Sequence, residues 1–214
     1  MIISPGRNYI FVHVPKTGGT SLALALEGRA MADDILIGDT PKARRRRRRI
    51  EGVQSAGRLW KHSTLADIDG LVDPGRIAAA FSFTLVRNPW DRIASYYHWL
   101  SGQRFDHPHV HLARSLDFSG FLNAPQVQDA MRAQPYSHYM TDREGRERAD
   151  LYIRLEHLDR DAEPLWSHLG FRLEVPSVNA STRERDYRTY FTDDDAETWG
   201  KVCAGDAARF GYAF

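Results

Sequence analysis

The chain has 214 residues, which suits one compact domain, and 42% of them are hydrophobic and 27% charged, as in a globular protein. Its 29 Lys and Arg residues nearly balance 28 Asp and Glu residues, so the net charge of +1 predicts no polyanionic partner by itself. One cysteine, Cys203, excludes an intrachain disulfide, and without a signal-peptide pattern or an apolar run near the ~20 residues that span a bilayer we expect a cytoplasmic protein.

The first predicted strand covers residues 9 to 14, a short apolar run rich in β-forming residues. A helix is predicted to open at Thr20 or Ser21 and to end near Gly28. The loop between them favours a phosphate, because its two glycines let the backbone approach an anion and a helix N-terminus presents N–H groups. A lysine adds positive charge, and hydroxyl groups add donors. The candidate phosphate-binding residues are Lys16, Thr17, Gly18, Gly19, Thr20 and Ser21.

The order of residues in this loop differs from that of an ATPase. A Walker A loop has the pattern G-x-x-x-x-G-K-[ST], whereas Lys16 precedes both glycines here. The chain also lacks an obvious acidic residue at the end of an apolar strand, which an ATPase uses to hold magnesium. Both differences argue against ordinary ATP hydrolysis.

An arginine-rich segment, residues 33 to 57, follows the first predicted helix. Arg44–Arg49 form an unbroken run, and because like charges repel we expect an exposed insertion or a mobile loop. The run could also contact a polyanion, such as an acidic glycan, a phospholipid or nucleic acid. Beyond this segment, Ser63 or Thr64 is a possible cap for a short helix.

Two further strand–helix junctions complete the pattern. Residues 81 to 86 and 151 to 155 are predicted strands, and helices are predicted from Pro89 onward and over residues 158 to 169 and 194 to 209. This alternation predicts an α/β fold with a mostly parallel sheet covered by helices on both faces. Ligands of such sheets bind beyond the carboxyl ends of the strands, where the first loop and the segment RNPWDR both begin.

The segment VRNPWDRIASYY holds a second candidate anion site, because Arg87 ends a predicted strand and Ser95 lies about two turns into the next helix. The two motifs together resemble the sulfotransferases that use 3′-phosphoadenosine 5′-phosphosulfate (PAPS). The resemblance is strongest to the carbohydrate branch, sulfotransferase family 2, which includes heparan sulfate 2-O-sulfotransferase and many small bacterial proteins. The segments YIRLEHLDRD, VNASTRERDYRTYF and FGYAF extend it over most of the chain.

The resemblance implies a single domain with a P-loop NTPase-like three-layer sandwich. In that family a PKTGGTS-like loop binds the 5′-phosphosulfate, which carries over to residues 16 to 21. An Arg and a Ser bind the 3′-phosphate, which carries over to Arg87 and Ser95. A late loop resembles the one that closes over the nucleotide, and its residues are Ser181, Thr182 and Arg183.

The implied reaction is in-line transfer of the sulfuryl group from PAPS to an acceptor hydroxyl, on a carbohydrate, with no metal. Lys16 would stabilise the charge that develops on the bridging oxygen, and Ser95 could hold Lys16 until the acceptor arrives. His62 stands where the 2-O-sulfotransferase branch has its catalytic histidine, and it is the predicted base.

Other residues have less specific explanations. The histidines of the segment FDHPHVH, residues 105 to 111, could bind a metal on a strand, but solvated loop histidines are the simpler interpretation. His13 is expected to pack beside the first loop. Trp90 and Trp99 could stack on a ligand, although packing is the commoner use of such residues.

Two alternatives to a sulfotransferase remain open at this point. A nucleotide or small-molecule kinase could use a similar architecture, and it would require magnesium and ATP. A polyanion-binding module led by Arg44–Arg49 would need no catalysis. The sequence does not indicate the acceptor or the oligomeric state.

Overall fold

The computed structural model describes residues 1–176 and 183–214, and its centre is a sheet of five strands. In sheet order β3-β1-β2-β4-β5, the strands are β1 (Ile2–Ser4), β2 (Tyr9–Val12), β3 (Ile35–Leu36), β4 (Phe81–Val86) and β5 (Leu151–Arg154). β2, β4 and β5 are parallel, and β1 is antiparallel to both β2 and β3. All the strands except β1 therefore run in one direction, which confirms the predicted α/β fold with a mostly parallel sheet.

The helices carry short, regular start signals. They are α1 (Gly19–Gly28), α2 (Pro41–Arg46), α3 (Pro74–Ala79), α4 (Pro89–Ser101), α5 (Pro108–Ser115), α6 (Phe118–Leu122), α7 (Pro125–Ala133), α8 (Tyr136–Tyr139), α9 (Leu158–Asp161), α10 (Glu163–Leu169), α11 (Asp193–Val202) and α12 (Ala204–Phe210). Proline opens five of them because its missing N–H has no partner in the first turn of a helix. None of the described helices is long and apolar enough to cross a membrane.

The described residues fall into two compact units. The sheet unit comprises residues 1–86 and 136–176, and it contains all five strands. The helical unit comprises residues 87–135 and 183–214. The prediction of a single domain stays a prediction.

The core of the sheet unit forms around fully buried aromatic rings of the central strands. Phe83 lies 5.7 Å from Tyr9 and 5.4 Å from Phe11, measured between ring centroids. Leu22 and Leu165, from α1 and α10, belong to the same buried cluster. This packing fixes the position of the β2–α1 junction, which carries the first motif.

The helical unit is held by two tryptophans that hydrogen-bond α4 and α11 reciprocally. The indole N–H of Trp90 donates to the carbonyl of Ala196 at 3.0 Å, and that of Trp199 donates to the carbonyl of Pro89 at 3.1 Å. Trp90 is therefore a core residue, whereas Trp99 is exposed. Cys203 lies between α11 and α12, where burial raises the pKa of its thiol to about 12.

The arginine-rich segment contains regular structure that the sequence analysis did not predict. Residues 35–36 form the edge strand β3, α2 follows, and residues 47–49 form a 3₁₀ turn. Ala43 faces the core, and Thr40 caps α2 by accepting a hydrogen bond from its N–H at 3.1 Å. The mobile-loop alternative is therefore wrong for these residues, although most of the arginine side chains are exposed as expected.

Three helix predictions need correction. The segment after Ser63 forms a turn in which Thr64 and Asp67 hydrogen-bond each other, so the capping pattern exists without a helix. The single helix predicted over residues 158 to 169 is two short ones, because Pro164 cannot continue the hydrogen-bonding of α9. The last predicted helix likewise breaks at Cys203.

We expect Thr40→Ala to lower the free energy of unfolding by about 1 kcal/mol, because it removes the α2 cap. It also removes the hydroxyl that donates to the Glu27 carboxylate at 2.7 Å. Arg45→Ala, at an exposed position of the same helix, is the matched control and should change stability by less than about 0.5 kcal/mol. Urea denaturation followed by circular dichroism measures both. Equal stability of the two variants would show that α2 contributes nothing to the fold.

Candidate functional site

The loop between β2 and α1 has the backbone of an anion site. Lys16 has a φ of +67° and Gly18 a φ of +81°, both in the left-handed region. Such a φ costs a lysine roughly 1–2 kcal/mol, so the surrounding structure must impose it. Gly18 occupies the N-cap position and has no side chain to cover the N–H groups at the start of α1. The helix terminus is thus accessible to a ligand of negative charge.

Both glycines of this loop are required by the protein's own packing as well as by a ligand. A Cβ atom on Gly19 would lie 2.2 Å from Cδ2 of His13, and one on Gly18 would lie 2.7 Å from Cδ1 of Leu155. His13 therefore packs beside the loop, as predicted. Any larger residue at position 19 must displace a buried imidazole ring.

The hydroxyl residues of the loop differ in their surroundings. Thr17 is fully buried, and its hydroxyl donates to the carbonyl of Val14 at 2.9 Å. This hydrogen bond closes the turn and uses the hydroxyl proton, so the donor that Thr17 can offer to an anion is its main-chain N–H. Lys16, Thr20 and Ser21 are half-buried and carry the remaining side-chain donors.

His62 lies in the same unit and is held by the main chain of His13. Its Nδ1 lies 2.7 Å from the carbonyl oxygen of His13, and the two rings meet edge-on with centroids 4.8 Å apart. A carbonyl only accepts, so Nδ1 must carry the proton and Nε2 must hold a lone pair. Burial lowers the pKa of His62 to about 4 and lowers the pKa of His13 well below its ordinary value. Both rings are therefore neutral at pH 7.

In the helical unit, Arg87 and Arg183 converge on one carboxylate. Arg87 forms an ion pair with Asp91 at 2.6 Å, one helical turn away, and the guanidinium of Arg183 contacts the other oxygen of Asp91. The three side chains are at most 17% exposed. Two cations and one anion leave a net positive charge, which suits a further anion. The sequence analysis missed Asp91, whose i,i+4 spacing from Arg87 was the available signal.

The start of α4 is fixed by Asn88. Its side chain accepts from the N–H of Trp90 at 3.0 Å and donates to the carbonyl of Ala213 at 2.9 Å. Ser95 is a buried residue farther along the same helix. The asparagine of the RNP motif is thus a capping residue that holds the backbone next to Arg87.

Two other predicted positions complete the inventory. Ser181 and Thr182 lie outside the described residues, so their placement beside the nucleotide stays a prediction. The histidines of residues 105 to 111 do not lie on a strand: His107 caps α5, and His109 is buried with its Nδ1 3.2 Å from the hydroxyl of Tyr96.

Comparison with known proteins gives the family of the chain. A family model described as "Sulfotransferase family" matches residues 1–201. This chain belongs to sulfotransferase family 2. The solved structure of mouse sulfotransferase SULT7A1 complexed with PAP has a similar fold, with a TM-score of 0.51 and 15% identity over 96% of this chain and 85% of that chain. At this identity the likeness shows the fold alone, and no curated protein sequence matches the chain.

Family membership makes the protein a sulfotransferase and implies PAPS as its co-substrate. It thereby replaces the kinase and the non-enzymatic module as interpretations of the chain. The donor set of the β2–α1 loop fits the 5′ end of PAPS, because it combines an ammonium group, hydroxyls and helix N-terminal N–H groups. That Arg87 and Ser95 hold the other end of the same nucleotide stays a prediction.

We expect Gly19→Ala to destabilise the protein by about 1–3 kcal/mol and to weaken binding of adenosine 3′,5′-bisphosphate (PAP), because its methyl group collides with His13. Gly28→Ala, at the other end of α1, meets no atom within 4 Å and should be neutral or stabilising. Thermal melting and calorimetric titration with PAP measure both effects. If the two variants behave alike, the close approach of His13 to Gly19 does not control the loop.

Proposed function

We propose that this sulfotransferase transfers the sulfuryl group of PAPS to a hydroxyl group of a carbohydrate, with His62 as the general base. The single observation that supports the role of His62 is its hydrogen bond to the carbonyl of His13. This bond orients the ring and assigns the proton to Nδ1. The lone pair on Nε2 is then available to accept the proton of an acceptor hydroxyl.

The depressed pKa of His62 fits this role in one respect and limits it in another. With a pKa of about 4 the imidazole stays neutral at physiological pH and needs no deprotonation before each turnover. It is also a weaker base than an ordinary histidine, since a base accepts a proton less readily as its pKa falls. Proton removal must therefore accompany formation of the new oxygen–sulfur bond and cannot precede it.

Lys16 and the N-terminus of α1 supply the stabilisation on the donor side. PAPS supplies an activated sulfuryl group whose bond to the 5′-phosphate breaks as the acceptor oxygen bonds to sulfur. The electron pair of the broken bond stays on the phosphate, and the acceptor proton goes to Nε2 of His62. The ammonium group of Lys16 and the helix N–H groups are suited to stabilise that phosphate charge.

Arg87, Arg183 and Ser95 are proposed to bind the 3′-phosphate. The support is electrostatic: the two guanidinium groups share one carboxylate, so their positive charge exceeds that of Asp91. A phosphate dianion can accept several charge-assisted hydrogen bonds from such a pair. Asp91 would keep both guanidinium groups oriented before the nucleotide arrives.

We predict that calorimetry will show tighter binding of PAP than of ADP, because ADP lacks the 3′-phosphate. Arg87→Ala should weaken PAP binding about tenfold or more and should hardly change binding of ADP. Arg132→Ala, which removes an exposed arginine of the same unit, is the control and should change neither. Preference for ADP or for ATP with magnesium would contradict a 3′-phosphate site.

We predict that the rate of sulfuryl transfer holds from pH 8 down to about pH 5 and falls only as pH approaches the His62 pKa of about 4, well below the ordinary value of 6.5. His62→Ala should lower turnover by about 10²–10⁴-fold and leave PAP affinity unchanged. His111→Ala, at an exposed histidine, is the control. Release of PAP in the presence of a panel of saccharides measures the rate.

The same pH series needs a check of folding. Because the folded-state pKa values of His13 and His62 are depressed, the unfolded chain binds protons first, and stability is lost as pH falls from 6.5 toward 4. Circular dichroism at each pH separates unfolding from loss of the base. A midpoint near pH 6.5 in a fully folded sample, or lost PAP affinity with normal turnover in His62→Ala, would reject His62 as the base.

A further inference from the structure

An exposed indole lies beside the proposed base. Trp60 is 41% exposed, and its ring centroid lies 4.9 Å from that of His62 with the planes nearly perpendicular. The guanidinium of Arg58 lies 5.3 Å from the centre of the same indole ring. Large aromatic side chains left in water next to a reactive group are typical of ligand-binding surfaces.

The turn that carries Trp60 is held in place from below. Ser63 is fully buried, and its hydroxyl accepts a hydrogen bond from the N–H of Trp60 at 2.9 Å. The same hydroxyl lies 2.8 Å from the carbonyl oxygens of Arg58 and Trp60. Because these contacts fix the backbone, the indole is positioned before any ligand binds.

Positive charge adjoins this turn on the side of Asp39. Lys61 forms an ion pair with Asp39 at 2.8 Å. The hydrogen bond from Lys61 lowers the pKa of Asp39, and the charge of Arg44 lowers it further, which places Arg44 within electrostatic reach of the turn. One carboxylate thus lies between the His62 turn and the first residue of the arginine run.

The arginine run is divided between structural and exposed side chains. Arg46 and Arg49 donate to the carbonyl of Asp34 at 3.2 and 2.7 Å, and so they attach the segment to the sheet unit. The remaining arginines are exposed, and we name them the basic face: Arg44, Arg45, Arg47 and Arg48. Arg44 and Arg48 are four residues apart, so they project on the same side of a helical backbone.

We propose that Trp60 and the basic face together form the acceptor subsite and that the acceptor is an acidic saccharide. The indole surface suits the C–H face of a sugar ring, and guanidinium groups suit carboxylate or sulfate groups on the neighbouring sugars. The inference rests on the proposed role of His62, since it places the sugar next to that residue. An aromatic ring among arginines could also stack a nucleobase, but the neighbouring base serves a hydroxyl acceptor.

Binding of a sulfated and carboxylated probe tests the basic face. We expect heparin oligosaccharides to bind the full chain in about 0.1 M salt, and dextran oligosaccharides of the same length to bind at least about tenfold more weakly. Arg44→Gln/Arg48→Gln should lower heparin affinity about tenfold. The charge-matched control is Arg143→Gln/Arg146→Gln, which removes two exposed arginines elsewhere in the sheet unit and should lose less than about twofold. Equal losses in the two double variants would overturn the proposal.

Substitution of the indole tests the platform. Trp60→Ala should weaken binding of a short heparin oligosaccharide about tenfold, and Trp60→Phe should retain most of the affinity because an aromatic face remains. A single-stranded oligonucleotide of equal charge is the competitor. The proposal is wrong if the oligonucleotide binds more tightly than heparin, or if Trp60→Ala binds heparin as the parent does.

The two levels of inference fail separately. If heparin binding is absent or independent of the basic face while PAP binds selectively, the acceptor subsite is wrong and the proposed reaction survives. If heparin binds through the basic face but PAP does not bind in preference to ADP, the nucleotide assignment is wrong. A rise in the KM for a heparin-like acceptor in Trp60→Ala, with unchanged affinity for PAP, would support both.

Discussion

The contact between His13 and the backbone at Gly19 is the constraint on which the sheet-unit site depends. A buried imidazole takes the space of a side chain at position 19, so the loop can pass only as glycine. The carbonyl of the same residue fixes the ring of His62. One histidine immediately after β2 thus controls the shape of the anion loop and the protonation state of the proposed base. Neither function requires His13 to touch a substrate.

The helical unit organises charge in a different way. Arg87 and Arg183 come from segments nearly a hundred residues apart, yet one carboxylate on α4 orients both. A carboxylate next to a proposed phosphate site looks unfavourable, but without it two largely buried guanidinium groups would repel each other. Asp91 therefore lowers the cost of assembling the pair while leaving positive charge in excess. Asn88 contributes by fixing the backbone where α4 begins.

The sequence was sufficient for the features that depend on local pattern. β4 matches its predicted bounds, and the strand–loop–helix order around Lys16 and Arg87 led to the family. Features that depend on tertiary contacts were missed. Residues 35–36 are too few for a pattern and become a strand only because β1 pairs with them. The role of His13 was equally invisible, since it arises from a ring packed against a backbone that only the fold brings near.

The attachment of Arg46 and Arg49 to the carbonyl of Asp34 has an evolutionary consequence. A tract of one repeated amino acid is usually free to lengthen or shorten, because every copy is equivalent. Here the copies are chemically identical but structurally distinct. Losing or gaining one arginine would turn the rest by about 100° around the helix and exchange the tethered side chains with the outward ones. Selection on this tract should therefore act on its length as strongly as on its composition.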